Sequence, residues 1–238
     1  MAGQPTRVAE RLAEVRGRMA AACRTAGRDP RDVRLMAVTK TQPREVLTAA
    51  YDAGLRLFGE NRVQEASEKA AVLRDHADLQ WSLIGHLQSN KVKQALGFAA
   101  EFHALDSVRL AETLERRLQA LGRGLDVFVQ VNTSGEASKS GLRPDQVEQF
   151  VLDLRPFSAL RVRGLMTLAV FSDDESAVAA CFQRLVEVRR RLRQLDGAPG
   201  SYEELSMGMS GDFELAIAHG ATTVRIGQGL FGARPVAG

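Results

Sequence analysis

The sequence predicts a single α/β domain of the (β/α)8 barrel type, preceded by one extra helix. Short apolar runs rich in strand-forming residues alternate with helical segments along the whole chain, which is typical of a parallel sheet. Eight such runs fit within 238 residues, a length typical of a barrel. A doubly wound open sheet is the alternative, but it usually carries a glycine-rich turn after its first strand. Here that turn, from Thr39 to Pro43, contains no glycine.

The first half of the chain contains the extra helix and four strand–helix units. Residues 6–27 are predicted as an amphipathic helix because Val8, Leu12, Val15, Met19 and Ala22 recur at helical spacing. Gly27 then supplies a natural stop. The predicted strands, each with its following helix, are 34–40 with 43–54, 55–61 with 63–73, 79–85 with 89–96, and 98–105 with 107–121.

The second half repeats this rhythm. Residues 125–132 alternate Val127, Val129 and Val131 with other side chains, as expected of a strand. No linker rich in proline, glycine or serine interrupts the series, so we predict one domain over residues 1–238. The remaining units are strand 125–132 with helix 144–154, strand 160–169 with helix 174–195, strand 203–207 with helix 212–219, and a last strand, 222–226, that runs into a glycine turn.

Composition narrows the classes of function. The formal net charge is +3, and arginines on helices such as 189–193 account for most of the surplus, which favours a solvated helix face over a nucleic-acid site. Aromatic residues are scarce, and no basic stretch interleaves them as a stacking platform would. Neither a signal peptide nor a membrane span is recognisable. Cys23 and Cys181 belong to no metal-ligand pattern and are expected to be reduced, structural thiols, so we expect a cytoplasmic protein without metal.

The carboxyl ends of the predicted strands carry the candidate functional residues, because the active face of a barrel lies there. Lys40 follows an apolar strand, where desolvation favours the neutral amine that forms Schiff bases. The alternative is a lysine whose side chain extends from the strand end into solvent, which is common. Arg225 lies inside the last apolar strand, where it is expected either to pair with a carboxylate or to donate to a ligand. Ser210 is expected to cap the next helix and, with Gly227, to form an anion site in the loops where barrels bind phosphate.

Several other residues at these strand ends are weaker candidates. Asn61 and Asn132 are expected to orient a ligand or to cap turns, and Met166 and Met209 to pack or to cover an aromatic ring. His86 fits a polar loop residue better than a base. The loop from Gly135 to Gly141 is expected to be mobile and carries Lys139.

Taken together, the motifs at the strand ends resemble those of the pyridoxal 5′-phosphate homeostasis proteins, single-domain relatives of the amino-terminal barrel of alanine racemase. The resemblance covers nearly the whole chain. Single motifs would be weak, but their number and order are specific. They are AVTK (37–40), FGENRVQE (58–65), IGHLQSNK (84–91), VN (131–132), SKSG (138–141), GLM (164–166), LSMGMS (205–210) and VRIG (224–227).

This resemblance implies a set of cofactor contacts. Lys40 would hold pyridoxal 5′-phosphate as a Schiff base, and Arg225 would meet its pyridine nitrogen. Ser210 and the backbone around Gly227 would bind the phosphate, and Asn61 and Met209 would lie near the ring. The family commonly carries a threonine after its R-I-G triplet, where this chain has Gln228, so the resemblance implies a backbone contact of Gln228 with the phosphate but does not extend to the side-chain contact.

The resemblance also implies a carrier that buffers or delivers the cofactor to apo-enzymes, and not a racemase. Two-base racemization needs a group on each face of the substrate carbon, and the racemase's second base is a tyrosine of another domain. Tyr51 and Tyr202 are predicted to lie away from the catalytic face. In this resemblance Arg225 would donate a hydrogen bond to the ring nitrogen without protonating it, and an unprotonated pyridine ring is a poor electron sink. A monomer is expected. A weak amino-acid racemase is the alternative, and a phosphosugar barrel without cofactor is a third possibility.

Overall fold

The computed structural model describes residues 4–232, within which eight parallel strands close into a barrel. Neighbours in the barrel are neighbours in sequence, and β8 pairs with β1, with Leu35 opposite Val224 and Ala37 opposite Ile226. The predicted (β/α)8 fold is therefore confirmed. The strands are β1 (Arg34–Val38), β2 (Leu57–Glu60), β3 (Gln80–Leu83), β4 (Glu101–Leu105), β5 (Leu125–Gln130), β6 (Leu160–Met166), β7 (Glu204–Ser206) and β8 (Thr223–Ile226).

Helices surround the barrel, and the extra amino-terminal helix packs against α2, α8 and α9. Its buried stripe contains Val8, Leu12, Val15 and Met19 as predicted, but its fifth member is the fully buried Cys23, while Ala22 is only partly buried. The described helices are α1 (Gln4–Thr25), α2 (Arg44–Asp52), α3 (Val63–Val72), α4 (Val92–Ala95), α5 (Val108–Leu121), α6 (Val147–Asp153), α7 (Glu175–Leu192), α8 (Phe213–Ala218) and α9 (Gln228–Phe231).

Alternate residues of each strand face the barrel interior, and this alternation determines which side chains near the strand ends point into the cavity. On β1, Arg34 reaches carboxylates of β4 and β7 across the interior, and Met36 lies where a side chain at Gly59 would point. Val38 and Lys40 then line the cavity at the carboxyl end. The same alternation turns Thr39 outward, where its hydroxyl donates to the buried Glu60.

Some elements differ from the sequence-based expectation. The last strand does not end in a turn alone, since one helical turn, α9, follows Gly227. The segment after β3 begins as a 3-10 turn at Ser89–Lys91, with Gln88 and not Ser89 at its amino-terminal cap position. Strand β4 begins at Glu101, three residues after the predicted start. Each difference lies at the end of an element, where tertiary contacts outweigh local propensity.

Both cysteines are free and buried, Cys23 in α1 and Cys181 in α7, as predicted. Within residues 4–232, no helix combines the length and the apolar character that a membrane span requires. The same residues contain no group of three or more histidine, cysteine, aspartate or glutamate side chains arranged to hold a metal ion.

Candidate functional site

An open cavity of about 740 Å³ lies at the carboxyl ends of the strands. This volume is within the range of small-molecule sites, and the position is the one where barrel enzymes bind their ligands. The structure brings every residue that the sequence singled out for cofactor binding to the wall of this cavity: Lys40, Asn61, Met209, Ser210, Arg225, Gly227 and Gln228.

A second cavity, of about 500 Å³, lies at the opposite end of the barrel. Its three arginines are already engaged: Arg16 donates to the carbonyl oxygen of Gly54, Arg34 pairs with Glu101 and Glu204, and Arg56 pairs with Asp78. This end therefore serves stability, and the carboxyl end is the candidate site.

The backbone that carries Lys40 is held from α3 by an ion-pair cluster. Lys69 donates through Nζ to the carbonyl oxygen of Thr39 at 2.7 Å, to Glu60 Oε1 at 2.7 Å and to Glu65 Oε1 at 2.6 Å. Glu65 Oε1 in turn accepts from the backbone N–H of Thr41 at 2.6 Å. The residues on both sides of Lys40 are thus tied to one helix, which fixes the direction in which its side chain leaves the strand.

The charges of this cluster are unevenly buried. Glu60 is fully buried, and burial raises the pKa of its carboxyl although hydrogen bonds from Lys69 and Thr39 oppose the shift. Burial acts in the same direction on Glu65, but the hydrogen bonds from Lys69 and from the Thr41 N–H outweigh it and lower the pKa of Glu65. Sequence reasoning did not assign Glu60, Glu65 or Lys69 a role, and the one signal was the four-residue spacing of Glu65 and Lys69 on a predicted helix.

Thr41 has a φ of 65°, a left-handed conformation that is uncommon outside glycine. Its N–H is bonded to Glu65, so the ion-pair cluster also fixes this turn. Backbone held in a sparsely populated region next to a candidate nucleophile is a common feature of functional sites.

Arg225 is the buried cation of the cavity, with 3% of its surface exposed. Its Nη1 donates to Ser206 Oγ at 2.8 Å and its Nη2 donates to the carbonyl oxygen of Thr167 at 2.7 Å. Among residues 4–232, no carboxylate lies within ion-pair distance of this guanidinium. The salt bridge that the sequence left open is therefore not formed. Burial lowers the pKa of Arg225 to about 10, with only a weaker opposing effect from Asp212.

Hydrogen-bond donors converge next to Arg225 at the junction of two loops. The backbone N–H groups of Gly227 and Gly229 both point at Ser210 Oγ, at 3.3 and 3.2 Å. Ser210 does not cap α8 as the sequence predicted, because the cap position is occupied by Asp212. The serine hydroxyl instead joins the two glycine N–H groups in a small cluster that suits an anion.

Asp212 holds the turn that carries Met209 and Ser210. Its carboxylate accepts from the backbone N–H of Met209 at 2.5 Å. Gly208 has a φ of 94°, and a side chain there would lie 2.6 Å from Ala216 Cβ, so the turn packs closely against α8. Burial raises the pKa of Asp212, although the hydrogen bond from the Met209 N–H and the charge of Arg225 oppose the shift. Sequence reasoning treated Asp212 only as a helix start and missed its place in the cavity wall.

Asn61 reaches the cavity because β2 and β3 approach closely behind it. A side chain at Gly85 would lie 2.2 Å from the backbone oxygen of Asn61, so this contact requires glycine. His86 follows and also lines the cavity. Among the weaker candidates, Asn132 instead binds the carbonyl oxygens of Glu136 and Lys139 and thereby holds the following loop. Met166 is buried in the core.

The loop with Lys139 and the loop after β6 form part of the cavity wall. Lys139 donates to the carbonyl oxygen of Ala169 at 3.0 Å and pairs with Glu136 at 2.8 Å, so the structure ties the two loops together. Leu168 and Phe171 stand on the second loop with 38% and 99% of their surfaces exposed. The cavity mouth therefore has an apolar edge.

Both tyrosines lie away from the cavity, as predicted. Tyr51 donates to Asp78 at 2.5 Å and packs against Arg56, at the other end of the barrel. Tyr202 is 1% exposed and donates to the carbonyl oxygen of Pro199 at 2.6 Å. Neither hydroxyl lines the cavity.

The cavity thus combines an amine, a buried guanidinium with no carboxylate at ion-pair distance among residues 4–232, and a cluster of N–H and O–H donors. This set of groups fits a flat ligand with an electrophilic carbon near Lys40, an electron-rich ring atom near Arg225 and an anionic group near Ser210 and Gly227. Pyridoxal 5′-phosphate has all three features.

Comparisons with known proteins agree with this fit. The family model of the alanine racemase N-terminal domain matches residues 11–235. A pyridoxal phosphate homeostasis protein of Pseudomonas aeruginosa is 42% identical over 227 residues, which cover 95% of this chain and 96% of that protein. An unknown protein from Bifidobacterium adolescentis has a crystal structure that matches with a TM-score of 0.90, at 38% identity and 96% coverage of both chains. The PipY protein of Synechococcus elongatus PCC7942, solved with PLP bound, matches with a TM-score of 0.82, at 38% identity, over 94% of this chain and 100% of its own.

Proposed function

Because this chain belongs to the alanine racemase N-terminal domain family, among the pyridoxal phosphate homeostasis proteins, we propose that it binds pyridoxal 5′-phosphate and buffers or delivers it. The whole of residues 1–238 would act as one cofactor-binding barrel domain. The names of the relatives support the homeostasis role, and the PLP-bound PipY structure supports the cofactor. The geometry of the cavity supports the same assignment independently of those names.

Each side of the cavity has a role in holding the cofactor. When bound, pyridoxal 5′-phosphate supplies an aldehyde carbon, which condenses with a primary amine and releases water. Lys40 supplies that amine and holds the cofactor as a Schiff base. Ser210 and the N–H groups of Gly227 and Gly229 bind the phosphate, and Arg225 donates to the ring nitrogen. Asn61, Met209 and Gln228 complete the wall around the ring and the phosphate.

One observation carries the proposal, namely the buried Arg225 with neutral hydrogen-bond partners and no carboxylate within ion-pair distance among residues 4–232. An arginine donates hydrogen bonds and does not accept them, so a ring nitrogen opposite it keeps its lone pair and stays unprotonated. A ring in that state is a weak electron sink. Arg225 would therefore hold the cofactor without activating it for amino-acid chemistry, which suits a carrier.

A two-step experiment tests the function. Titration of the protein with pyridoxal 5′-phosphate should produce the absorption band of a Schiff base, and the loaded protein should then restore activity to a pyridoxal-phosphate-dependent apo-enzyme. Incubation of the loaded protein with one pure amino-acid enantiomer should leave its optical activity unchanged. Rapid racemization would favour the alternative of a weak racemase and would contradict the carrier role.

We also propose that the chain acts as a monomer. Sedimentation equilibrium with and without pyridoxal 5′-phosphate tests this directly, since a monomer of 25.9 kDa is expected in both conditions. A dimer in either condition would contradict it.

A further inference from the structure

A chain of hydrogen bonds runs through the barrel interior from the candidate site to the opposite end. Arg225 Nη1 lies 2.8 Å from Ser206 Oγ, and Ser206 Oγ lies 3.0 Å from His103 Nδ1. His103 Nε2 lies 2.7 Å from Glu101 Oε2, and Glu101 Oε1 accepts from Arg34 Nη1 at 2.5 Å. The chain thus joins four different strands, β8, β7, β4 and β1.

The chemistry of the partners fixes the direction of each bond. A guanidinium only donates, so Ser206 Oγ accepts from Arg225. The Glu101 carboxylate accepts from His103 Nε2, and in the neutral tautomer that carries only this proton, His103 Nδ1 accepts from the Ser206 hydroxyl. Although burial opposes it, the hydrogen bond from His103 and the charge of Arg34 lower the pKa of Glu101, so Glu101 accepts as a carboxylate. Burial lowers the pKa of His103, although the hydrogen bond to Glu101 and the charge of Glu101 oppose the shift, and we assign the ring the neutral tautomer with its proton on Nε2.

Packing leaves this arrangement little freedom. His103 and Ser206 are fully buried, and the imidazole stacks on the ring of Phe128 with centroids 3.9 Å apart. The other Nη of Arg225 is bound to the carbonyl oxygen of Thr167. The guanidinium plane is therefore set by two oxygens, and the direction of one of them, Ser206 Oγ, is set by His103.

We propose that His103, acting through Ser206, is a positioning residue that fixes where the Arg225 guanidinium lies, and so where it donates to the ring nitrogen of the cofactor. The inference rests on the proposed function. Because His103 takes the proton of Ser206, the serine presents a lone pair to Arg225 Nη1, and this acceptor sets the position of the guanidinium.

The test compares two serine-to-alanine substitutions at fully buried positions of the barrel interior. Ser206→Ala breaks the chain between Arg225 and His103. Ser82→Ala is the matched control, because Ser82 Oγ donates to Glu101 Oε2 at 3.2 Å on the far side of His103. We expect Ser206→Ala to weaken pyridoxal 5′-phosphate binding by about tenfold, or ~1.4 kcal/mol, and Ser82→Ala to change it less than about twofold.

Two spectroscopic measurements separate positioning from a structural role. With ring-labelled ¹⁵N cofactor bound to full-length protein, Ser206→Ala should move the nitrogen resonance away from the wild-type position, and Ser82→Ala should leave it in place. Equal behaviour of the two variants, in affinity and in resonance, would overturn the inference. Failure of the wild-type protein to bind the cofactor would instead overturn the proposed function.

A measurement on the unmodified protein keeps the inference testable if Ser206→Ala does not fold. The chain has His76, His86, His103 and His219, so the His103 signal is identified as the one absent from His103→Gln. Long-range ¹H–¹⁵N correlation of the imidazoles should show His103 as the neutral tautomer with its proton on Nε2. A doubly protonated ring, or a proton on Nδ1 alone, would reverse the hydrogen bond to Ser206 and refute the proposal.

Discussion

Replacement of Lys69 by methionine should lower the free energy of unfolding by about 3 kcal/mol near neutral pH, the lower end of the cost of breaking a buried ion pair. Lys69 has 13% of its side chain exposed, and its partner Glu60 has none. Methionine keeps the apolar stem and removes the ammonium, so the Glu60 carboxylate loses its cation. Glu60 Oε2 already has no hydrogen-bond partner among the described residues. We expect a cost at the lower end of the range for a broken buried ion pair because the Thr39 hydroxyl still donates to Glu60.

The cost should depend on pH in a defined direction. Burial raises the pKa of Glu60, so the folded protein binds this proton more readily than the unfolded chain does. A carboxyl whose pKa is raised by folding destabilises the folded state at pH values above its pKa in the unfolded chain. This destabilisation disappears as the pH falls below the pKa of the unfolded chain. Removal of Lys69 raises the pKa of Glu60 further. The penalty of Lys69→Met should therefore be smaller near about pH 5 than near about pH 8.

A double-mutant cycle isolates the pair. Glu60→Gln removes the buried charge, so Lys69→Met combined with Glu60→Gln should recover about 2 kcal/mol of the loss near about pH 8. Urea unfolding at the two pH values measures all four proteins. Lys93→Met, an exposed lysine of α4, serves as the control and should change stability by less than about 0.5 kcal/mol. A Lys69→Met cost below about 1 kcal/mol, or an equal cost at both pH values, would refute this explanation of the cluster.

Three further predictions concern the cavity wall. Ser210→Ala should weaken pyridoxal 5′-phosphate binding about tenfold in a spectroscopic titration, whereas Ser140→Ala in the same cavity should not; equal effects would contradict the donor cluster. Gly85→Ala should lower the free energy of unfolding by more than about 2 kcal/mol in urea, because its Cβ would lie 2.2 Å from Asn61 O; an unchanged midpoint would show that the contact relaxes. Gln228→Thr should tighten cofactor binding by about threefold if a threonine hydroxyl reaches the phosphate, and weaker binding would exclude that contact.

Local sequence patterns were sufficient to predict the barrel and the convergence of the site. The alternation of strands and helices fixes strand order, and strand order places β1 beside β8, which carries Arg225; Lys40 continues the alternation of β1 two residues past its end at Val38. The period of two along β1 and β8 then turns both side chains inward. These relations depend on spacing along the chain, which a single sequence displays.

Partners that come from distant strands could not be predicted in this way. The link from His103 to Ser206 joins residues 103 positions apart, and nothing in the local sequence of either indicates the other. Ser210 carries a helix-cap pattern, yet its hydroxyl is bound to N–H groups from the loop after β8. Barrel closure decides both contacts. Arg225 remained ambiguous for the same reason, because a carboxylate partner is excluded only once the surrounding strands are in place.

Borohydride reduction of the protein loaded with pyridoxal 5′-phosphate, followed by peptide mapping, tests the central claim most directly. The lysines of the chain are Lys40, Lys69, Lys91, Lys93 and Lys139, so each carries a distinguishable adduct. We predict one adduct on Lys40, its loss in Lys40→Ala, and its retention in Lys139→Ala, the control in the same cavity. An adduct on Lys139 in the wild-type protein, or label spread over the other lysines, would contradict the assignment of the cofactor to Lys40.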